Sequence, residues 1–132
     1  MVNLDEQIHN MKAKKTIVLG ASTNTSRYSN MAVKKLLNHG YEVIPVGIKK
    51  GEIEGVKIAT AEEQESKDVD TVTMYLGPQN QKPYYNYIID LKPKRVIFNP
   101  GTINPEFMKR LEEEKIEAVD ACTLVMLSAD TY

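Results

Sequence analysis

Two rhythms of apolar residues alternate along the chain. Short runs at 16–19, 42–46, 70–76, 95–98 and 117–119 are rich in Val, Ile, Leu and Thr, the reading of buried strands. Between several of them the apolar residues recur every three or four positions instead. Segment 29–39 places Ala32, Val33, Leu36 and Leu37 on one stripe and stops at Gly40. A second helix, over 79–91, carries Tyr84, Tyr87, Ile88 and Leu91 at helical spacing, with Pro93 just past its end. A third spans 105–114, capped by Asn104 with Pro105 at its first position. Ahead of the first strand, 3–13 reads as a short helix. Asn3 and Glu6 have capping-box spacing, Leu4, Ile8 and Met11 share a face, and Lys12, Lys14 and Lys15 suit the negative end of its dipole.

Strands alternating with helices imply parallel βαβ units with right-handed crossovers. The expectation is an α/β fold: a doubly wound, five-stranded parallel sheet with helices on both faces. The connection 47–69 holds only a short helix candidate around 61–65, so it should be thin or irregular. Residues 124–127 read either as a final short helix or as exposed apolar surface. The expected organisation is an N-terminal helix over 1–14 and a single domain over 15–132.

Composition narrows the function. The chain has 132 residues, of which 42% are hydrophobic and 27% charged, an ordinary globular balance for one domain with a real core. A formal net charge of −1 removes the general electrostatic case for nucleic acid or an anionic membrane as partner. No apolar run reaches the roughly 18 residues that span a bilayer, and residues 1–15 are amphipathic and charged rather than a signal sequence, so the cytoplasm is the expected compartment. The single cysteine, Cys122, excludes an internal disulfide framework and a cysteine-based metal cluster.

In a doubly wound sheet, ligands sit beyond the carboxyl ends of the strands, where strand order reverses. Four loops at those ends each contain a glycine: Gly20, Ala21, Ser22 and Thr23 after the first strand; Gly47 and Lys49 after Val46; Gly77 and Pro78 after Leu76; and Asn99 and Gly101 after the fourth. Backbone can approach a ligand closely at each.

The first loop resembles a dinucleotide-binding turn, yet Ser22 and Thr25 stand where such a turn has its second and third glycines. Hydroxyls there suit a phosphate held at the helix N-terminus in another way. Ser26 or Ser29 reads as the helix N-cap. The end of the second strand carries no acid to accept hydrogen bonds from ribose hydroxyls, as an NAD site requires. Lys49 and Lys50 there instead favour a phosphorylated ribose, as in NADP or coenzyme A, with surface solvation as the competing explanation. Arg27 is a second cation for phosphate.

Catalytic groups are scarce. His9 lies in the N-terminal helix and His39 at the edge away from the strand-end loops, where it suits a helix C-terminus. Asp120 is the one carboxylate near the site edge, with capping as its competing role. Cys122 reads as a small core hydrophobe or as a thiol meeting a ligand thiol. Of the tyrosines near the third strand most should pack, and one is a candidate to stack on adenine.

These residues match a known pattern. IVLGASTNTSRYSNMAVKKLLNHGYEVIPV (17–46) with Lys49 beyond it, DVDTVTMYLGPQ (68–79) and VDACTLVM (119–126) resemble the small bacterial CoA-binding domain proteins, single Rossmann-like domains similar to the CoA-binding domain of the succinyl-CoA synthetase alpha subunit. The resemblance covers nearly the whole chain after residue 14. It implies coenzyme A bound across the strand ends, with Gly20, Ala21 and Ser22 at the phosphates, Lys49 near the phosphorylated ribose, and Arg27 at a basic position. Two departures are visible: Gly47-Ile48 replaces the usual Asn-Pro before the lysine, and Asn99-Pro100-Gly101 stands where glutamine is common. The resemblance implies no particular reaction. The reading is therefore a non-catalytic module for coenzyme A or acyl-CoA, read by an unknown protein partner, as a monomer or homodimer. An NADP-binding reductase, a phosphosugar- or nucleotide-processing enzyme and a ligand-free interaction scaffold are the alternatives.

Overall fold

The computed structural model of the chain describes residues 12–132. Five parallel strands form the central sheet: β1 (Lys12–Leu19), β2 (Tyr41–Val46), β5 (Thr71–Met74), β6 (Arg95–Phe98) and β7 (Glu117–Asp120), in the order β2-β1-β5-β6-β7. A two-stranded antiparallel hairpin, β3 (Glu52–Ile53) and β4 (Val56–Lys57), stands apart. Helices α1 (Tyr28–Asn38), α2 (Tyr85–Leu91), α3 (Pro105–Glu113) and α4 (Thr123–Ser128) complete the described elements. This is a Rossmann-like α/β architecture. The chain leaves β1 toward one edge and returns beside it with β5, so strand order reverses between β1 and β5, and that places the ligand crevice.

Alternation along the strands sends side chains to two cores. On one face Ile17, Leu19, Val72, Met74, Val96 and Phe98 meet Ile88 of α2 and Phe107 and Leu111 of α3. Phe107 is the hinge of that layer, with Tyr85 stacked on it at 4.0 Å and Phe98 edge-on at 6.0 Å. On the other face Val18 and Ile97 meet Val33 and Leu36 of α1 and Leu127 of α4. Burying a side chain of this kind contributes about 1.5–3 kcal/mol each, so the two layers dominate the fold's stability.

Several elements depart from their sequence reading. Lys12 and Ala13 belong to β1, not to a helix, and the register between β1 and β2 shifts between Lys12 and Thr16; the remainder of the 3–13 segment lies outside the described residues. The helix read over 79–91 is three pieces: 3-10 turns at Pro78–Asn80 and Lys82–Tyr84, then α2. Pro83 has no amide hydrogen to give a continuous helix. The 61–65 helix candidate is a single turn, closed by reciprocal bonds in which the Glu63 amide donates to Thr60 Oγ1 and the Thr60 amide to Glu63 Oε1, each 3.2 Å. Hydrogen bonding by Thr60, its backbone amide first and its side chain next, holds the Glu63 carboxyl below its usual range. The β3–β4 hairpin stands in this connection in place of a crossover helix, packing Ile53 with Val33 and Leu36 of α1 and turning at Glu54 and Gly55, both with positive φ (51° and 78°). Neither Ser26 nor Ser29 caps α1: Arg27 is the N-cap residue, without a side-chain cap bond. Asn104 caps α3 as expected, accepting from the Phe107 amide at 3.2 Å, and 124–127 is helical within α4.

Candidate ligand-binding site

A cleft of about 400 Å³ opens at the carboxyl edge of β1 and β5. Its floor and near wall are Leu19, Gly20, Ala21, Ser22 and Thr23, with Arg27, Tyr28 and Ser29 from the start of α1. Gly47, Ile48 and Lys49 bound it on the β2 side, and Tyr75, Leu76, Tyr84, Pro100, Gly101 and Thr102 on the β6 side. A second hollow, lined by Thr60, Ala61, Glu62, Pro83 and Tyr87, shares Gly47, Ile48 and Tyr84 with the first, so the two run together as one trough. Its position follows from the missing crossover helix, which would have covered the flank of α2.

The loop after β1 is built by its own polar side chains. Gly20 turns the chain with φ 97°, a conformation glycine adopts without strain. The amides of Gly20 and Ala21 both donate to the Val46 carbonyl, at 2.9 and 3.0 Å, so neither serves a ligand. Ser22 Oγ accepts from the Asn24 amide at 3.1 Å, which leaves its own hydrogen for an outside acceptor. Asn24 Oδ1 accepts from the amide and hydroxyl of Ser26, at 3.0 and 2.7 Å. Buried Asn30 of α1 donates to the Ser22 carbonyl at 2.9 Å and clamps loop to helix.

Of the residues read from the sequence, Gly20, Ala21, Ser22, Thr23, Arg27, Gly47, Lys49, Leu76 and Gly101 come together in this lining. The others stand behind or beside it. Val46 and Asn99 are buried beneath the loops, Gly77 and Pro78 begin the first 3-10 turn, and Cys122, half-buried, is the N-cap residue of α4. Asn99 is a hub of the floor: its side-chain amide donates to the Met74 carbonyl at 2.8 Å and to Thr73 Oγ1 at 2.7 Å, and its Oδ1 accepts from the Thr123 amide at 2.8 Å. Asp120 is exposed and outside the lining.

Sequence reasoning missed Gln81, Asn30 and Tyr28. Their signal was a polar residue in an apolar helical stripe or an aromatic among loop polars, which periodicity alone does not distinguish from surface. Tyr75 was seen only as one of a cluster. Its ring lines the cleft while burial first, and next the neighbouring Cys122, push its hydroxyl above the usual tyrosine range. Among the described lining residues there is no histidine, aspartate, glutamate or cysteine in the first hollow, and Glu62 is the one carboxylate of the second. Among the described residues no group of three or more His, Cys, Asp or Glu side chains is placed to hold a metal ion, and no helix is long and apolar enough to cross a membrane.

Comparison with known proteins agrees with this fold. A crystal structure of an uncharacterized protein is 56% identical, covers 90% of this chain and 98% of its own, and superposes with a TM-score of 0.87. A conserved hypothetical protein from Pyrococcus furiosus is 31% identical over 85% of this chain and 97% of its own, with a TM-score of 0.76. An acetyl-coenzyme A synthetase from Ca. Korarchaeum cryptofilum shares the fold alone, at 16% identity and a TM-score of 0.70, over 84% of this chain and 26% of that one. No curated protein matches the chain. The family model described as CoA binding domain matches residues 14–128, which include every residue lining the trough and all of the sheet but the first two residues of β1, and the chain belongs to that family.

Proposed function

We propose that the chain binds coenzyme A or an acyl-CoA across the strand ends and performs no chemistry on it. The observation that carries this reading is the joining, in one cleft, of the Ser22 and Thr23 hydroxyls with two cations, Arg27 and Lys49, at a strand end that bears no acid. Hydroxyl and cationic donors suit phosphates, and a lysine beyond β2 suits a ribose that carries one. The diphosphate lies over residues 20–23 with Arg27, and the ribose phosphate meets Lys49. The adenine enters the second hollow, where Tyr84 and Tyr87 offer aromatic faces. The remaining arm runs over Leu76 toward Gly101 and Thr102. Among the described residues the phosphate cleft is lined by no histidine or carboxylate, in keeping with a binding role, with the bound state read by a protein partner, the chain acting as a monomer or homodimer in the cytoplasm.

The test is calorimetry of the purified protein under reducing conditions against coenzyme A, acetyl-CoA, NAD and NADP. Saturable binding of the first two alone upholds the reading. Binding of NADP alone keeps the role of Lys49 and moves the protein to the reductase-like alternative. Silence from all four leaves an interaction scaffold.

A further inference from the structure

Gln81 is wholly buried at the junction of the two 3-10 turns. Its side-chain amide donates to the Leu76 carbonyl at 2.9 Å and to the Thr102 carbonyl at 2.8 Å. Its Oε1 accepts from Asn104 Nδ2 at 3.0 Å, and the same Asn104 amide donates to the Tyr85 hydroxyl at 2.8 Å. Every polar atom of this buried side chain is thereby engaged. Leu76 follows β5, Thr102 follows β6, and both line the cleft. One side chain thus spans two loops that no backbone ladder joins beyond the ends of their strands.

We propose that Gln81 is a positioning residue for the ligand arm: it fixes the spacing between the loops after β5 and β6, and so sets the wall on which the part of the ligand beyond the diphosphate lies. The proposal rests on the coenzyme A reading. The adenosine end of the trough has separate supports. Its loop after β1 is clamped by Asn30, its β2 rim is tied by the Gly47 amide to the Ala59 carbonyl at 2.9 Å, and Tyr84 is held by its amide's bond to the Gln81 backbone carbonyl at 2.9 Å, which a side-chain substitution leaves in place. Loss of the Gln81 bonds should therefore be felt at one end of the ligand only, whereas a residue that merely stabilises the fold would weaken both ends or neither.

The experiment compares coenzyme A with adenosine 3′,5′-bisphosphate, which lacks the arm, on the wild type and on Gln81→Met, a neutral side chain of similar length that cannot donate. The expected result is about tenfold weaker binding of coenzyme A with the bisphosphate changed by less than about twofold, as the loss of three hydrogen bonds of this buried side chain, two of them to the Leu76 and Thr102 carbonyls of one wall, would give. Circular dichroism and melting establish that the variant is folded at the temperature used. Gln81→Glu is the second variant: as a carboxylate facing two carbonyls it should show the same split near neutral pH, relieved at low pH as one O–H donor returns. Equal weakening of both ligands, or no weakening of either, in whichever variant is folded overturns the role of Gln81. Failure of the wild type to bind coenzyme A overturns the reading on which it rests.

Discussion

A β-carbon built on Gly47 would fall inside contact distance of the Ala21 carbonyl oxygen. The loop after β2 and the loop after β1 therefore touch backbone to backbone, and this contact holds Lys49 over the same cleft as Ser22. Gly47→Ala must push the loops apart, at a cost of about 1–3 kcal/mol typical of overpacking. Urea unfolding should show a lower midpoint, and calorimetry a loss of coenzyme A affinity. A variant as stable and as tightly bound as the wild type would show that the contact does not shape the site.

Lys49 gives the sharpest ligand test. Lys49→Ala should weaken coenzyme A by about tenfold while dephospho-coenzyme A changes by less than about twofold, because a contact to the ribose phosphate matters only where that phosphate exists. Titration of both ligands against both proteins measures it. Equal weakening would place Lys49 elsewhere on the ligand.

Asn104 joins a helix cap to the floor of the site. Asn104→Ala removes the acceptor for the Phe107 amide and the donor to Gln81 and Tyr85, a loss of about 2–3 kcal/mol when cap and buried bonds are counted together. Asn104→Asp keeps the cap acceptor and deletes only the donor, so its unfolding midpoint should fall between those of the wild type and the alanine variant. Identical midpoints for the two variants would show that the cap carries no stability.

Tyr87 predicts a pH response. Burial pushes its hydroxyl up to about 12 from an ordinary 10.0, so folding favours the neutral phenol. The stability this lends is complete below pH 10 and is lost as the pH rises through about 12. Ultraviolet titration of the folded protein should show a late tyrosine that Tyr87→Phe removes, and the variant should lose less stability over that alkaline interval. An unchanged titration would mean that the phenol is solvated.

The sequence by itself determined the sheet and the edge at which the cleft opens. The five β-branched runs, the stripe of α1, the Asn104-Pro105 start of α3 and the strand-end loops are local patterns, and hydrophobic burial on either face of a parallel sheet leaves them one consistent arrangement. Ser22, Arg27 and Lys49 were legible for the same reason: a residue just past a strand end has a known place in such a fold.

Only the tertiary structure decided which loops share a wall. The helix read over 79–91 breaks where Pro83 lacks an amide and where Gln81 turns inward to the Leu76 carbonyl five residues back and to the Thr102 carbonyl 21 residues on, and no periodicity encodes that choice. The hairpin in place of a second crossover helix depends on a two-residue turn at Glu54 and Gly55, a backbone preference too weak to read against a charged background. Gly20 and Ala21, which the family resemblance puts at the phosphates, spend their amides on the Val46 carbonyl instead. Bonds such as those from Gln81 to Thr102 and from Ala21 to Val46 join residues more than 20 positions apart and exist only once the sheet has brought the loops together, so the strands and their parallel pairing came from the sequence and the shape of the cleft from their packing.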